Sequence, residues 1–392
     1  MIPLSLLLLG ASACRDWDRF APAAGGAPGD GGSGGAPSNG GNGGQPGGGQ
    51  PSGGAAQGGA GGWFDDGLTT RRSIDVVRPA SEEAVDDFPI LLRLAPGLDV
   101  TGELRLVADD HESALPFEVE RLVADAESLV WVRVPSVGPQ VTRIWLYYGG
   151  VAETQSLPPG DTWSNGFVAV WHFEASGEDA LAAHSGTIAG ATSAVAVVGN
   201  GFSFDGDGDH VDVPGAAAFD TMFASGGTLS ALVRPNSGGE LDRGRIIDRT
   251  TDTLFTGGWA LTAGDFVQPE SFGFAYSFTG GYAWWVTPPQ STLHGEWHHV
   301  AATFAEGDAA PQLYIEGVAQ MLTVDSPIAG RPGVSAGLSA RIGGQPAGED
   351  RDYDGVIDEL RASATVRSAT WLATEAENMA GGLVSVGDAE TR

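Results

Sequence analysis

Few side chains in this 392-residue chain stand at spacings that could do chemistry. Glu118 and Glu120 lie two apart in Leu115-Pro116-Phe117-Glu118-Val119-Glu120, so on a strand they share a face. A carboxylate pair suggests glycoside hydrolysis, but its acid and base must flank a substrate, and this pair reads instead as a solvated strand face. Asp350-Arg351-Asp352-Tyr353-Asp354-Gly355 matches the start of a calcium loop of alternating Asp closed by Gly, with Asp354 as a candidate ligand. Its twelfth position is Arg361 rather than Glu, which excludes an EF-hand; an acidic turn entering a strand is the commoner origin of such a run. Asp205-Gly206-Asp207-Gly208-Asp209 alternates too, with His210 at the glycine position. His298 and His299 are adjacent and face opposite ways on a strand, while His172, His184, His210 and His294 fit no zinc spacing, so the histidines read as structural. No Gly-x-Ser-x-Gly elbow occurs, and no glycine pair opens a helix as a phosphate loop must.

Aromatics give the one hint of a ligand. In Tyr282-Ala283-Trp284-Trp285-Val286 the alternation sends Trp284 and Trp285 to opposite faces, so one is expected to leave the core. An exposed ring beside Tyr282 would stack on the apolar C–H groups of a pyranose. A tryptophan filling the inter-sheet core or the domain boundary is the alternative.

Composition narrows the classes of function. Fifty acids against twenty bases give a net charge of −30, which argues against nucleic acid or anionic lipid as partner. Every base is Arg, and without Lys there is no Schiff-base or Lys-nucleophile chemistry. A single cysteine, Cys14, excludes an internal disulfide, a thiolate zinc cage and an iron–sulfur cluster. The apolar run Ile2–Leu9 is too short to span a bilayer and fits the core of a secretory signal. Residues 25–62 hold almost only Gly, Ala, Pro, Ser, Asn and Gln, with Asp30 the sole charge, so nothing there offsets the entropy of ordering. Such a coil reads as a flexible tether with an r.m.s. reach of about 35 Å.

The elements expected beyond the tether are strands. Phe88–Leu94, Leu115–Glu120, Ser128–Val134 and Arg143–Tyr148 alternate or run apolar between Gly, Pro and Asp breaks, predicting a small antiparallel unit. Short strands recur beyond Trp163, among them Phe167–Phe173, Gly201–Phe204, Thr228–Val233, Tyr282–Val286, His299–Phe304 and Val356–Arg361. Many short strands between Gly-rich turns, with hardly a helix, predict a two-sheet jelly roll.

Three resemblances sharpen this. Gly10-Ala11-Ser12-Ala13 running into Cys14 resembles the lipobox of bacterial lipoproteins, which implies an acylated Cys14 as mature N-terminus. Two or more acyl chains at about 0.8 kcal/mol per methylene would hold the chain on a membrane. Trp63, Thr70-Arg71-Arg72, Asp87-Phe88-Pro89-Ile90, Leu115–Glu120, Trp131-Val132-Arg133-Val134-Pro135 and Tyr147-Tyr148-Gly149 resemble, in order, an uncharacterised bacterial β domain found before laminin-G-like domains. Trp171-His172-Phe173-Glu174, Gly201–Gly206, Leu229–Pro235, Glu296–Ala301, Leu313–Gly317, Ile342-Gly343-Gly344 and Gly355–Arg361 resemble the concanavalin A-like, laminin-G-like jelly roll. That resemblance implies a structural calcium ion held by Glu174 and Asp358, although Ala183-His184-Ser185-Gly186 stands where the family often has Asp-Ser-Ser-Gly. Glucanases of the fold resemble one another in a Glu-x-Asp-x-Glu strand; Glu240-Leu241-Asp242 continues Arg243-Gly244-Arg245, and Ile357-Asp358-Glu359 lacks the partners.

The expected organisation is all-β: a signal peptide (1–13), lipidated Cys14 with a disordered glycine-rich linker (14–62), a small β-sandwich (63–155) and a laminin-G-like jelly roll (163–380). The expected function is a surface-anchored, non-catalytic module for glycan or for extracellular or envelope protein, meeting membrane only through its anchor, with no nucleic-acid partner and Ca2+ as structural ion. The alternatives are a structural cell-envelope protein without a small ligand, and a polysaccharide hydrolase on the same fold.

Overall fold

The computed structural model describes residues 62–78, 83–97, 103–251, 257–265, 268–325, 336–346 and 351–392. The expected leader, Cys14 and the tether up to residue 61 lie outside them. The predicted strands are present, and every strand pairing among the described residues is antiparallel.

The first unit packs a three-stranded sheet, Val85–Leu94, Ser128–Val137 and Phe117–Arg121, against a four-stranded one. Alternation in Thr142–Gly150 sends Ile144, Leu146 and Tyr148 inward, and Trp145 and Tyr147 outward under Trp63 and Phe64. The four-stranded sheet runs Val384–Thr391, Leu68–Val76, Thr142–Gly150, Arg105–Ala108. Its first strand is the end of the chain, which returns beyond the expected jelly-roll boundary and pairs Val384 with Val76 and Val386 with Ile74.

The return runs through a helix, Ala369–Met379, that the strand-based reading passed over. Ser368 caps it by accepting the Trp371 amide at 3.1 Å, and Trp371, Leu372, Ala376 and Met379 form its buried stripe. At its far end Asn378 accepts the Leu91 amide (3.0 Å) and donates to the Pro89 carbonyl (3.1 Å). The helix thereby covers the open edge of Val85–Leu94, whose backbone groups would otherwise be buried without partners.

Among the described residues, the second unit is a jelly roll of two eight-stranded sheets. Gly227–Pro235 sits between His298–Phe304 and Asp354–Ser363, and Asp354–Ser363 also pairs with Phe167–Trp171. Leu229, Ala231 and Val233 enter the inter-sheet core with Trp259, Phe274, Val300 and Ile357. Leu232, Val170, Ala301, Tyr314 and Val356 instead join Leu92, Leu129, Trp131 and the helix's Trp371 in one continuous apolar cluster. The two units therefore share a core, and this jelly-roll sheet is buried on both faces. At roughly 1.5–3 kcal/mol per buried large apolar side chain, that seam contributes substantially to both units.

A chain ending after Leu383 leaves the Leu68–Val76 edge unpaired. We expect the amides of Leu68–Val76 that face Val384–Thr391 to lose hydrogen-exchange protection in that truncation, and the melting temperature to fall.

Candidate functional site

Much of the seam between the units is apolar, but charged side chains gather where Phe117–Arg121 faces the end of Phe167–Trp171 and the middle of Asp354–Ser363. The first of these strands brings Glu118 and Glu120, the second ends at His172, and the third carries Asp358, Glu359 and Arg361. Pairing of Leu360 with Trp171 and of Arg361 with Val170 sets His172 beside Glu359. A bulge aims the acid: Asp358 opposes Leu232 and Arg361 opposes Ser230, so Glu359 and Leu360 share one partner position, and Glu359 takes φ +50°. Phe173, next to His172, stands at φ +60°, rare for a bulky residue. Strained backbone on neighbouring strands thus flanks the cluster.

His172 Nδ1 lies 2.7 Å from Glu359 Oε1 and 3.7 Å from Glu120 Oε2, and its Nε2 lies 3.5 Å from Glu118 Oε2. Trp131 stacks on the imidazole at 5.7 Å and donates from Nε1 to Glu120 at 2.7 Å, while Trp163 Nε1 donates to Glu118. The Arg361 guanidinium sits 4.5 Å from the Trp131 ring and 5.0 Å from Trp163, and donates to Glu359 at 2.6 Å. Outside this cluster opens a cleft of about 390 Å³ whose wall includes Glu118, Glu120, His172, Glu174, Glu178 and Asp179. Asp179 is committed to the fold, accepting the amides of Val170, Leu181, Ala183 and His184.

Burial, with Glu359 and Glu174 nearby, pushes the Glu120 carboxyl up to about 8 against the pull of His172. Burial alone would lower His172, but Glu359 and Glu120 outweigh it and hold the imidazole well above its usual range. Glu359 is likewise resisted by burial yet held low by His172 and Arg361. Asp358 is pushed well up, by burial first and then by Glu359.

These findings change several expectations. Glu118 and Glu120 do share a face, but that face is the seam: the Glu120 side chain is 2% exposed, not solvated. His172, read as structural, meets three carboxylates, those of Glu118, Glu120 and Glu359. Trp284 and Trp285 face opposite ways as expected, yet are only 3% and 4% exposed. Trp285 fills the inter-sheet core near Phe304, and Trp284 packs with Ala260, Ala275 and half-buried Tyr282 near the Arg245 guanidinium. Both sheet faces are covered there, so neither ring offers a stacking surface.

Of the carboxylates expected to hold calcium, Asp354 stands apart from the other two. Asp354 stands four residues from Asp358 on one strand, about 13 Å away. It accepts from Asn236 (3.0 Å) and Ser237 (2.6 Å), which is the acidic-turn arrangement. Glu174 and Asp358 flank one turn instead, accepting the amides of Asn200 (2.9 Å) and Val198 (3.0 Å), and Arg121 pairs with Glu174 at 3.0 Å. Asp350 lies outside the described residues.

Residues 205–373 match the concanavalin A-like lectin/glucanases superfamily, and residues 101–181 match a domain of unknown function (DUF2341). This is the domain order expected from the motifs, and the cluster straddles the two matches. Curated proteins give no match to the sequence. Solved structures similar to this chain include domain 4 of AbnA, a GH43 extracellular arabinanase from Geobacillus stearothermophilus, in complex with arabinotriose. That domain is 16% identical over 54% of this chain and 98% of its own, with a TM-score of 0.37. The binding domain of Paraclostridial Mosquitocidal Protein 1 is 12% identical over 54% of this chain and 52% of that one (TM-score 0.42). Trypanosoma rangeli sialidase is 18% identical over 69% and 44% (TM-score 0.40).

Two outcomes follow from the burial and charge. Trp285→Ala should cost about 3–5 kcal/mol in chemical denaturation, as the loss of a core side chain does. Glu120 binds its proton more tightly folded (about 8) than unfolded (4.5), so its contribution to stability is complete below pH 4.5 and is lost as pH rises through about 8. The surrounding groups are Glu118, His172, Glu174, Asp358 and Glu359. In chelator-treated protein, Glu120→Gln should flatten the fall in melting temperature between pH 5 and pH 8.

Proposed function

We propose that this chain is a non-catalytic binding protein, tethered to the cell surface through Cys14, that receives a glycan or protein ligand in the acidic cleft where its two β units meet. The observation that carries this reading is the cleft itself: about 390 Å³, partly open, and edged by Glu118, Glu174 and Glu178. Carboxylates in that position accept from hydroxyl, ammonium or guanidinium donors and repel sulfated or phosphorylated ligands. The preferred ligand class is therefore a neutral or amino-bearing glycan, or a basic peptide segment.

The superfamily holds lectins and glucanases, so fold alone leaves both open. The carboxylates favour recognition. A glycosidase needs an acid and a second carboxylate free to meet substrate on its two sides. Here Glu120 and Glu359 are 2% and 0% exposed, with Trp131, His172 and Arg361 on their oxygens. Glu118 accepts from Trp163, and Glu174 from Arg121 and Asn200. Each already spends an oxygen on a partner within the fold, which supports recognition over attack on a substrate. The anchor rests on the sequence, where the chain's one thiol follows a run of small residues.

The test is a glycan and basic-peptide array probed with the full chain, followed by titration of the best ligand. Glu178→Arg reverses charge at an exposed position of the cleft wall, and should weaken binding at least tenfold while leaving the melting temperature unchanged. Indifference of the bound ligand to this change, or turnover of an arrayed glycan, would overturn the reading.

A further inference from the structure

We propose that Glu120, His172 and Glu359 form a binding site for one divalent transition-metal ion, of which Zn2+ is the model, at the seam between the two β units. One potential ligand atom from each lies within 4.8 Å of the others. His172 Nδ1 stands 2.7 Å from Glu359 Oε1 and 3.7 Å from Glu120 Oε2. Ligands about 2.0–2.1 Å from a tetrahedral ion are about 3.3 Å apart, so around an ion the His172–Glu359 pair would spread and the other two pairs would close.

A second observation is independent of this spacing. Glu120 Oε1 is buried and, among the described residues, meets no hydrogen-bond donor, Trp131 serving Oε2. A buried carboxylate oxygen without a donor costs free energy, which a cation meeting it would offset. The outer contacts also suit a metal centre. Glu118 Oε2 lies 3.5 Å from His172 Nε2, the position from which a carboxylate orients a metal-bound imidazole. Trp131 and Arg361 hold Glu120 and Glu359 in place. Two carboxylates balance a divalent charge, while the imidazole favours zinc-like ions over calcium or magnesium. Glu120 and His172 also border the cleft, which can supply water to complete the coordination.

Because Glu120 belongs to the first unit and His172 and Glu359 to the second, the ion would clamp the two together. Metal binding is measured without any glycan or peptide, so its failure and that of the recognition reading are separable. The full chain, freed of metal by chelator, is titrated with Zn2+ by calorimetry, and with Co2+ by its visible d–d absorption. We expect one ion per chain, a raised melting temperature that chelator reverses, and low-coordinate Co2+ bands. Glu120→Gln and His172→Gln should each weaken Zn2+ at least tenfold, and Glu118→Gln by about tenfold, the effect of losing an outer partner. Glu178→Gln, at the cleft wall but outside the metal set, should leave Zn2+ affinity unchanged. Glu120→Gln is nearly isosteric, so a melting curve of its metal-free form separates lost binding from lost fold. No Zn2+ binding by the parent chain, or unchanged affinity in folded Glu120→Gln, would overturn the proposal.

Discussion

One buried positive charge organises the junction on which this architecture depends. The Arg361 side chain is 1% exposed, lies against the faces of Trp131 and Trp163, and meets Glu359 at 2.6 Å and Glu375 at 3.8 Å. A guanidinium in an apolar seam is tolerable only with counter-charges in place, and removing one partner of such a pair typically costs about 3–5 kcal/mol. The partners come from different parts of the fold: the tryptophans from the first unit and its connector, Glu359 from the closing jelly-roll strand, Glu375 from the C-terminal helix. Burial opposes ionisation of Glu375, yet Arg361, His299 and Ser230 together bring it down to about 2. The network joins all these elements through specific contacts, where apolar packing alone would allow them to slide.

The path of the chain follows from the same constraint. Glu375 must reach Arg361, so the helix lies over the outer face of the jelly-roll sheet, where it also accepts from Ser230 at 2.6 Å and meets His299 at 3.1 Å. The helix's other end then stands at the open edge of Val85–Leu94, and the segment beyond it at the edge of Leu68–Val76. A domain that begins and ends in the same sheet encloses the other within its own sequence. The jelly roll is thus held at both of its ends by the unit that precedes it.

Much of the fold was legible because the strands obey period two and the breaks are Gly, Pro and Asp. The helix was legible as well: Ser368 precedes a stripe at Trp371, Leu372, Ala376 and Met379, but eleven residues among so many strands were easily passed over. The cluster was not. Glu120, His172 and Glu359 are far apart in sequence, and no linear spacing encodes a site assembled by two domains. Alternation placed Glu118 with Glu120, and Trp284 opposite Trp285, correctly on their strands. What alternation cannot tell is whether a second layer covers a given face. For both pairs such a layer exists, so the acids became interior and the indoles lost the exposure that sugar stacking requires.

The exclusive use of arginine gains a physical reason at the buried positions. Burial lowers Arg245 and Arg367 only to about 10, so both stay charged at neutral pH and continue to serve Asp248 and the Glu375 field. Lysine starts about two units lower and loses its proton readily when desolvated, which would leave those carboxylates without a counter-ion. Nor could an ammonium serve equally well, at once, both rings, 4.5 and 5.0 Å from the guanidinium carbon, and the Glu359 carboxylate, because that arrangement suits a planar group with donors around its rim. A seam that combines clustered indoles with buried acids therefore selects guanidinium. The acidic surplus of the whole chain does not weaken this selection, since the pairs that matter lie where solvent and salt screen least.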